Sequence, residues 1–294
     1  MKRRTIRTLL IAGLLTGSQL AIHAQDRNPG MPGDQFNLYG ALEAFKKSNS
    51  PEAFERMLNQ DGNSINNLDL NDDGEIDYIR VINKRDNDVQ LFILQIPVTQ
   101  RENQDIAVIE LERTGYEEAV IQIVGDKDIF GEEVIIEPTD AEERNYFDDN
   151  DRERRGPSAY NTNNNGIFVN VWGWPGVRFV FAPGYVPWVS TWSNYRPPYW
   201  YAPRRTVAWS SWHPQRNYYS RYYAPCTRHR IAYAPRYYQP YRNTSVIVYN
   251  RYRPAITHYP TYRKPAPVYR NPGHSNPRGH AYGHGRRVIV RGRR

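Results

Sequence analysis

The period of the apolar positions divides the chain. Leu38, Leu42 and Phe45 recur at helical spacing, and that pattern stops at Ser48-Asn49-Ser50. Ser50 suits an N-cap and Pro51 the first helical position. Glu52 suits the positive end of a second helix, whose apolar face is Phe54, Met57 and Leu58. From Ile76 onward the apolar residues come in β-branched runs: Ile76–Ile82, Val89–Val98, Ile106–Leu111, Ala119–Val124 and Val134–Glu137. The gaps between them, at Asn83–Asp88, Thr99–Asp105, Thr114–Glu118 and Gly125–Gly131, suit antiparallel neighbours better than crossovers. Val89–Val98 is apolar at both parities, so it reads as a central strand covered on both faces. The expected fold is α+β, with two short helices laid on one face of an antiparallel β-meander.

Further along, the pattern dissolves. Ile167–Trp172 and Val177–Phe181 flank Gly173-Trp174-Pro175-Gly176, which predicts a Trp-bearing β-hairpin over 167–182. [Phe/Tyr]-Ala-Pro recurs at Phe181, Tyr201, Tyr223 and Tyr233, with spacing too uneven for a solenoid. Proline at this density blocks long helices and central strands, so extended, polyproline-like chain is expected. Ser245–Tyr249 reads as one late strand. A largely irregular Tyr/Pro/Arg-rich C-terminal half therefore follows the meander.

Charge sharpens that division. All 31 acidic residues of the 294-residue chain precede Gly156. Residues 25–155 set 14 basic against 31 acidic residues, a balance of −17, whereas residues 156–294 carry +21 with no acid at all. The second half also holds all seven Trp, 19 of the 23 Tyr and 17 of the 22 Pro, so one uniform globular domain is not expected. The segments read as follows: 1–24 a secretory signal peptide, 25–35 a disordered start, 36–137 an acidic α+β domain, 138–166 a charged, Asn-rich linker, and 167–294 a basic aromatic region of low complexity. The signal rests on Lys2, Arg3, Arg4 and Arg7, the short apolar run Leu9–Leu15, and Ile22 and Ala24 ahead of a cut before Gln25. That run is too short to span a bilayer, and no later segment reads as a transmembrane helix. Export to the periplasm, the outer surface or the medium follows. Cys226 is the only cysteine, so internal disulfides are excluded; its arginine-rich surroundings favour the thiolate, but a lone bystander thiol is the preferred reading.

The sharpest chemical signal is Asp69-Leu70-Asn71-Asp72-Asp73-Gly74-Glu75-Ile76-Asp77. Oxygen-bearing side chains fall at loop positions 1, 3, 5 and 9. Glu75 can offer its main-chain carbonyl, Gly74 permits a sharp turn, and Ile76 can anchor the loop to a core. Hard oxygens at this spacing suit Ca²⁺; Asp and Asn also favour such turns without an ion. These nine residues resemble the EF-hand-type calcium loop, in the D-x-N-x-D-G-x-I-D form shared by dockerins and FG-GAP-type propeller repeats. The resemblance implies Asp69, Asn71, Asp73, Glu75 and Asp77 as ligands. Position 12, a bidentate Glu in a standard EF-hand, is Arg80, and a strand follows, so the fit is to a loop opening into a β-strand. Dissociation constants of about 10⁻⁴–10⁻³ M, typical of extracellular modules, are expected. Asp61, Asn63, Asn66 and Asn67 lie close upstream, any of which can complete the shell.

Once the signal is removed, residues 25–155 contain no His and no Cys, so Ser-His and Cys-His nucleophilic schemes are excluded there. The adjacent pairs Glu117-Glu118, Glu132-Glu133 and Glu142-Glu143 face opposite ways on an extended chain and form no catalytic dyads. The chain reads as non-catalytic, with a carboxylate-dependent hydrolase as a lesser alternative. Of the 21 basic residues after Gly156, 20 are Arg, whose forks grip phosphate and carboxylate and whose planes stack on Tyr and Trp. Three partners fit: an anionic envelope surface or polysaccharide, single-stranded nucleic acid (incidental for an exported chain), and the acidic half itself, by compaction or self-association. His274, His280 and His284 offer at most a transient metal site. The order of signal, acidic domain and Tyr/Pro/Arg tail resembles that of exported bacterial proteins.

Overall fold

The computed structural model describes residues 30–139, 169–214 and 219–262. The signal segment, most of the 138–166 linker and the three C-terminal histidines lie outside them. The helices form where the sequence places them. α1 spans Leu38–Lys47, with the Asn37 side chain accepting from Gly40 N at 3.1 Å; α2 spans Pro51–Leu58, with Ser50 Oγ accepting from Ala53 N at 3.1 Å. Six antiparallel strands follow in sequential order: β1 Arg80–Asp86, β2 Val89–Pro97, β3 Asn103–Gly115, β4 Glu118–Gly125, β5 Val134–Pro138 and β6 Tyr223–Cys226. The first five form the meander expected from the β-branched runs, with β1 shifted from the expected Ile76–Ile82 to Arg80–Asp86, into the expected gap. A short α3, Lys127–Phe130, occupies the β4–β5 gap.

β2 is buried along its whole length, as its unbroken apolar run requires. Phe92, Leu94 and Ile96 face the helical side, where Phe45 meets Phe54 at 5.2 Å and Phe92 at 4.9 Å between ring centroids. Leu91 and Ile93 face the other side, with Val108, Val124 and Ile135. Ile231 and Ala234 cover that second face. Ala234 begins α6, Ala234–Tyr238, so the sheet is packed on both sides and the second cover comes from the basic half.

The basic half is thus largely irregular but not detached. Val171, Val177, Val180, Phe181, Tyr223 and Val248 belong to the main core. No β-hairpin forms over the described part of 167–182: Pro175–Val180 is the helix α4, because Pro175 and Gly176 sit at its first turn rather than at a hairpin bend. A Cβ on Gly176 would lie 3.1 Å from the Ser48 carbonyl, so glycine lets α4 seat against the end of α1. Trp209–Trp212 forms a single turn, α5. Ser245–Tyr249 is not a strand but the start of α7, Val246–Tyr262, with Ser245 Oγ accepting from Val248 N. The start of the chain needs the same correction for its described residues. Pro32–Gln35 forms a 3₁₀ turn and Met31 is 1% exposed, so this stretch is packed rather than disordered. No helix among the described residues is long and apolar enough to cross a membrane.

Candidate functional site

The Asp69–Asp77 loop leads from the helical layer into the chain before β1, and its own side chains fold it. Asp69 Oδ1 accepts from the amides of Asp72 at 2.6 Å and Asp73 at 3.1 Å, and its Oδ2 from Gly74 at 2.8 Å. Asn71 Oδ1 accepts from Asp73 N at 3.0 Å, and Asp73 Oδ1 from Glu75 N at 2.8 Å. These are Asx turns, in which a side-chain oxygen holds an amide a few residues on. Gly74 adopts φ 82°, the left-handed backbone the tight turn needs. Ile76 is buried, as an anchor should be. Strand β1 begins only at Arg80, because Ile76 to Ile79 make their contacts with loop, helix and strap instead.

Asp77 is different in kind, being 2% exposed. Its Oδ2 accepts from Leu70 N and its Oδ1 from Asn194 Nδ2, both at 2.5 Å. Burial pushes its carboxyl up to about 7, against the pull of these two donors, and the charges of Asp69 and Asp73 push it further in the same direction. Asn194 also accepts the Tyr78 amide at 2.6 Å. Around it the basic half straps the loop. Ile76 N donates to Arg204 O at 2.6 Å, Thr206 N to Gly74 O at 3.2 Å, Tyr201 Oη to Ile76 O at 2.8 Å and Arg251 Nη1 to Leu70 O at 2.7 Å. Sequence reasoning gave no role at the loop to Asn194, Tyr201, Arg204, Thr206 or Arg251.

The structure brings the five expected ligands into one turn but not into a cage. Among the described residues, no three His, Cys, Asp or Glu side chains are grouped to hold a metal ion. Asp69 is occupied by three amides, Asn71 Nδ2 donates to Asp73 Oδ2 at 2.8 Å, and Asp77 is turned inward. The upstream candidates already have partners, Asn66 among them on the Asp77 carbonyl of the loop itself. Asp61 pairs with Arg204 at 3.0 Å, Asn63 and Asn66 hold backbone groups, and Asn67 bonds Gln35 and Val207.

What the loop lacks among the described residues is a direct ion pair, although the Arg251 guanidinium bonds the Leu70 carbonyl beside it. Among the described residues, no Lys, Arg or His forms an ion pair with Asp69, Asp72, Asp73, Glu75 or Asp77. Elsewhere the same chain matches its acids with care. Arg242 grips Asp126 and Asp128, each at 2.6 Å, and Arg230 reaches Glu137 at 2.9 Å. His229 bridges buried Glu110 at 3.0 Å and Glu133 at 2.9 Å; those hydrogen bonds, Glu110's first, lift the imidazole to about 9 despite partial burial.

No protein-family model, curated protein or solved structure matches this chain. Its chemistry therefore rests on the geometry alone. The other buried carboxylates serve as acceptors. Glu43 takes Tyr223 Oη at 2.6 Å, and Asp105 takes Gln95, Tyr238 and Asn243. Burial holds Asp105 at about 6 despite those three donors. Cys226 lies at 3.2 Å from Gln122 Nε2; burial raises its thiol, so the arginine-rich sequence around it does not make it a ready thiolate.

Proposed function

We propose a non-catalytic exported calcium-binding protein whose basic aromatic half adheres to anionic envelope or extracellular polymer. One observation carries the calcium reading: among the described residues, five acidic side chains within nine residues form no ion pair, in a chain whose Arg, Lys and His residues reach many of its other acids. A hard divalent cation supplies the missing charge, and oxygens of Asp69, Asn71, Asp73, Asp77 and the Glu75 main chain are its natural ligands. Binding requires Asp73 to release the Asn71 amide and Asp77 to turn outward from Leu70 N and Asn194. Asp69 can keep its three amides, since a carboxylate has about four acceptor positions. The cation would then tie the helical layer to β1 and add its binding free energy to folding. With a dissociation constant near 10⁻⁴ M, 10 mM Ca²⁺ stabilises the full mature chain by about 2.7 kcal/mol. Thermal unfolding should register this as a rise in Tm that Asp69→Ala and Asp73→Ala abolish. An unchanged Tm in the parent protein at millimolar Ca²⁺ rejects the reading.

Adhesion is supported by the exposed Arg178, Arg196, Arg205, Arg228, Arg236 and Arg253. Sedimentation of the full chain onto purified envelope polysaccharide should weaken steeply across a salt series, because exposed charges are screened. Retention independent of salt counts against arginine-driven contact. A second reading has its own observation: Arg204, His229, Arg230 and Arg242 are ion-paired with acids of the first half of the same chain. This favours opposite-charge compaction within one chain over assembly between chains.

A further inference from the structure

We propose that a cleft beside the loop is a saccharide-binding site. The cleft has a volume of about 670 Å³ and is walled by separate segments: Asp73 and Glu75 of the loop, Val98 and Thr99 after β2, Tyr195, Tyr201 and Pro203 of the strap, and Ile247 and Arg251 of α7. Small-ligand sites fall at roughly 300–1,000 Å³. The lining mixes two kinds of surface. Tyr195, 54% exposed, offers a ring, and Pro203 and Ile247 add aliphatic area. Asp73, Glu75, Thr99 and Arg251 offer hydrogen-bonding groups of both senses. Two key groups are set in advance. Tyr195 Oη donates to Val98 O at 3.3 Å and Arg251 Nη1 to Leu70 O at 2.7 Å, so less ordering is required when a ligand arrives.

A sugar ring needs this combination. Its hydroxyls both donate and accept, so they meet the carboxylates and the guanidinium together, while its C–H face lies against the Tyr195 ring. An anion would face Asp73, Glu75 and Asp77 with Arg251 the one cation among the described lining residues. A wholly apolar ligand would strip water from these carboxylates without replacing the hydrogen bonds. Glu75 is exposed, and its carboxylate accepts no hydrogen bond or ion pair among the described residues, so its acceptor capacity is open to a ligand. The calcium reading uses only its main-chain carbonyl. Saccharide binding through Glu75, Thr99, Tyr195 and Arg251 therefore stands without the cation.

The test uses the full mature chain, with saturation-transfer NMR and calorimetry against cellotriose, maltotriose and N-acetylated chitotriose. A galacturonic acid trimer and spermidine serve as charged probes, and each titration is run with millimolar Ca²⁺ and again with EGTA. At least one neutral trisaccharide should bind in both conditions. Tyr195→Ala and Glu75→Gln should each weaken it about tenfold or more with the urea midpoint unchanged, since both side chains are exposed. The inference is overturned if none of the three binds, if only a charged probe binds, if binding needs calcium, or if both variants bind like the parent. Calcium heat without sugar binding sinks this inference and leaves the calcium reading standing; sugar binding in EGTA without calcium heat does the reverse.

Discussion

Glu55→Ala should cost the protein at least about 4 kcal/mol, the sum of a few stranded donors at roughly 1–3 kcal/mol each. Glu55 lies on α2 and is 2% exposed. Its Oε1 accepts from Tyr78 Oη at 2.8 Å and Ser190 Oγ at 2.7 Å, and its Oε2 from Val81 N at 2.7 Å. One carboxylate therefore joins a helix, the first strand and the strap. Burial raises its pKa while these donors lower it, so the site is built to read an acceptor. Truncation leaves a strand amide, a phenol and a hydroxyl facing a void. Global stabilities of about 5–15 kcal/mol make this a large fraction of the total. Urea unfolding followed by tryptophan fluorescence measures it, and a loss under about 1 kcal/mol would contradict the proposed hub.

Arg242→Ala should cost about 3 kcal/mol, at the lower end of what breaking a buried ion pair costs. Asp126 has a side chain 3% exposed, and Arg242 meets it through Nε at 2.6 Å and Nη2 at 2.9 Å. Without the guanidinium, a buried carboxylate remains with its charge uncompensated. Burial already raises the Asp126 pKa, with Arg242 the main opposing influence, so the variant should take up a proton more readily. The sign follows: a neutral Asp126 needs no counter-charge, so the penalty shrinks as pH falls. Tyr238 and Asn243 bind Asp105 nearby, and Ser245 binds Gln104 and Glu102. Loosening this clasp should speed proteolysis between Tyr238 and Val248 (limited chymotrypsin digestion, which cuts after Tyr238 and Tyr241, read by mass spectrometry). A penalty that stays constant with pH, or unchanged digestion, would show that Arg242 is not the clasp.

The meander was legible because each strand buries apolar residues against cover the alternation itself implies. The start of α2 was legible because Ser50 acts within three residues of what it caps, whereas the Asn37 cap of α1 emerged only in the structure. The strap was not, since its partners lie far apart in sequence: Asn194 meets Asp77 across 117 residues, and Arg242 meets Asp126 across 116. Strand β6 was hidden by Pro225, which a chain edge tolerates and a central strand does not. Proline likewise misled at Pro175, where it opens a helix instead of closing a hairpin. The loop's turn chemistry could be read from the Asp/Asn/Gly spacing, but the inward burial of Asp77 could not, because it depends on Asn194.

Calorimetric titration of Ca²⁺ into the full mature chain tests the central claim most directly. The isolated acidic half is the wrong reagent, because β6 and the Glu55 partner Ser190 come from the other half. A single site with a dissociation constant of about 10⁻⁴–10⁻³ M, lost in Asp73→Ala, is the expected result. No saturable heat at millimolar calcium, or equal heat in Asp73→Ala, would leave the loop as an acidic turn held by its own amides.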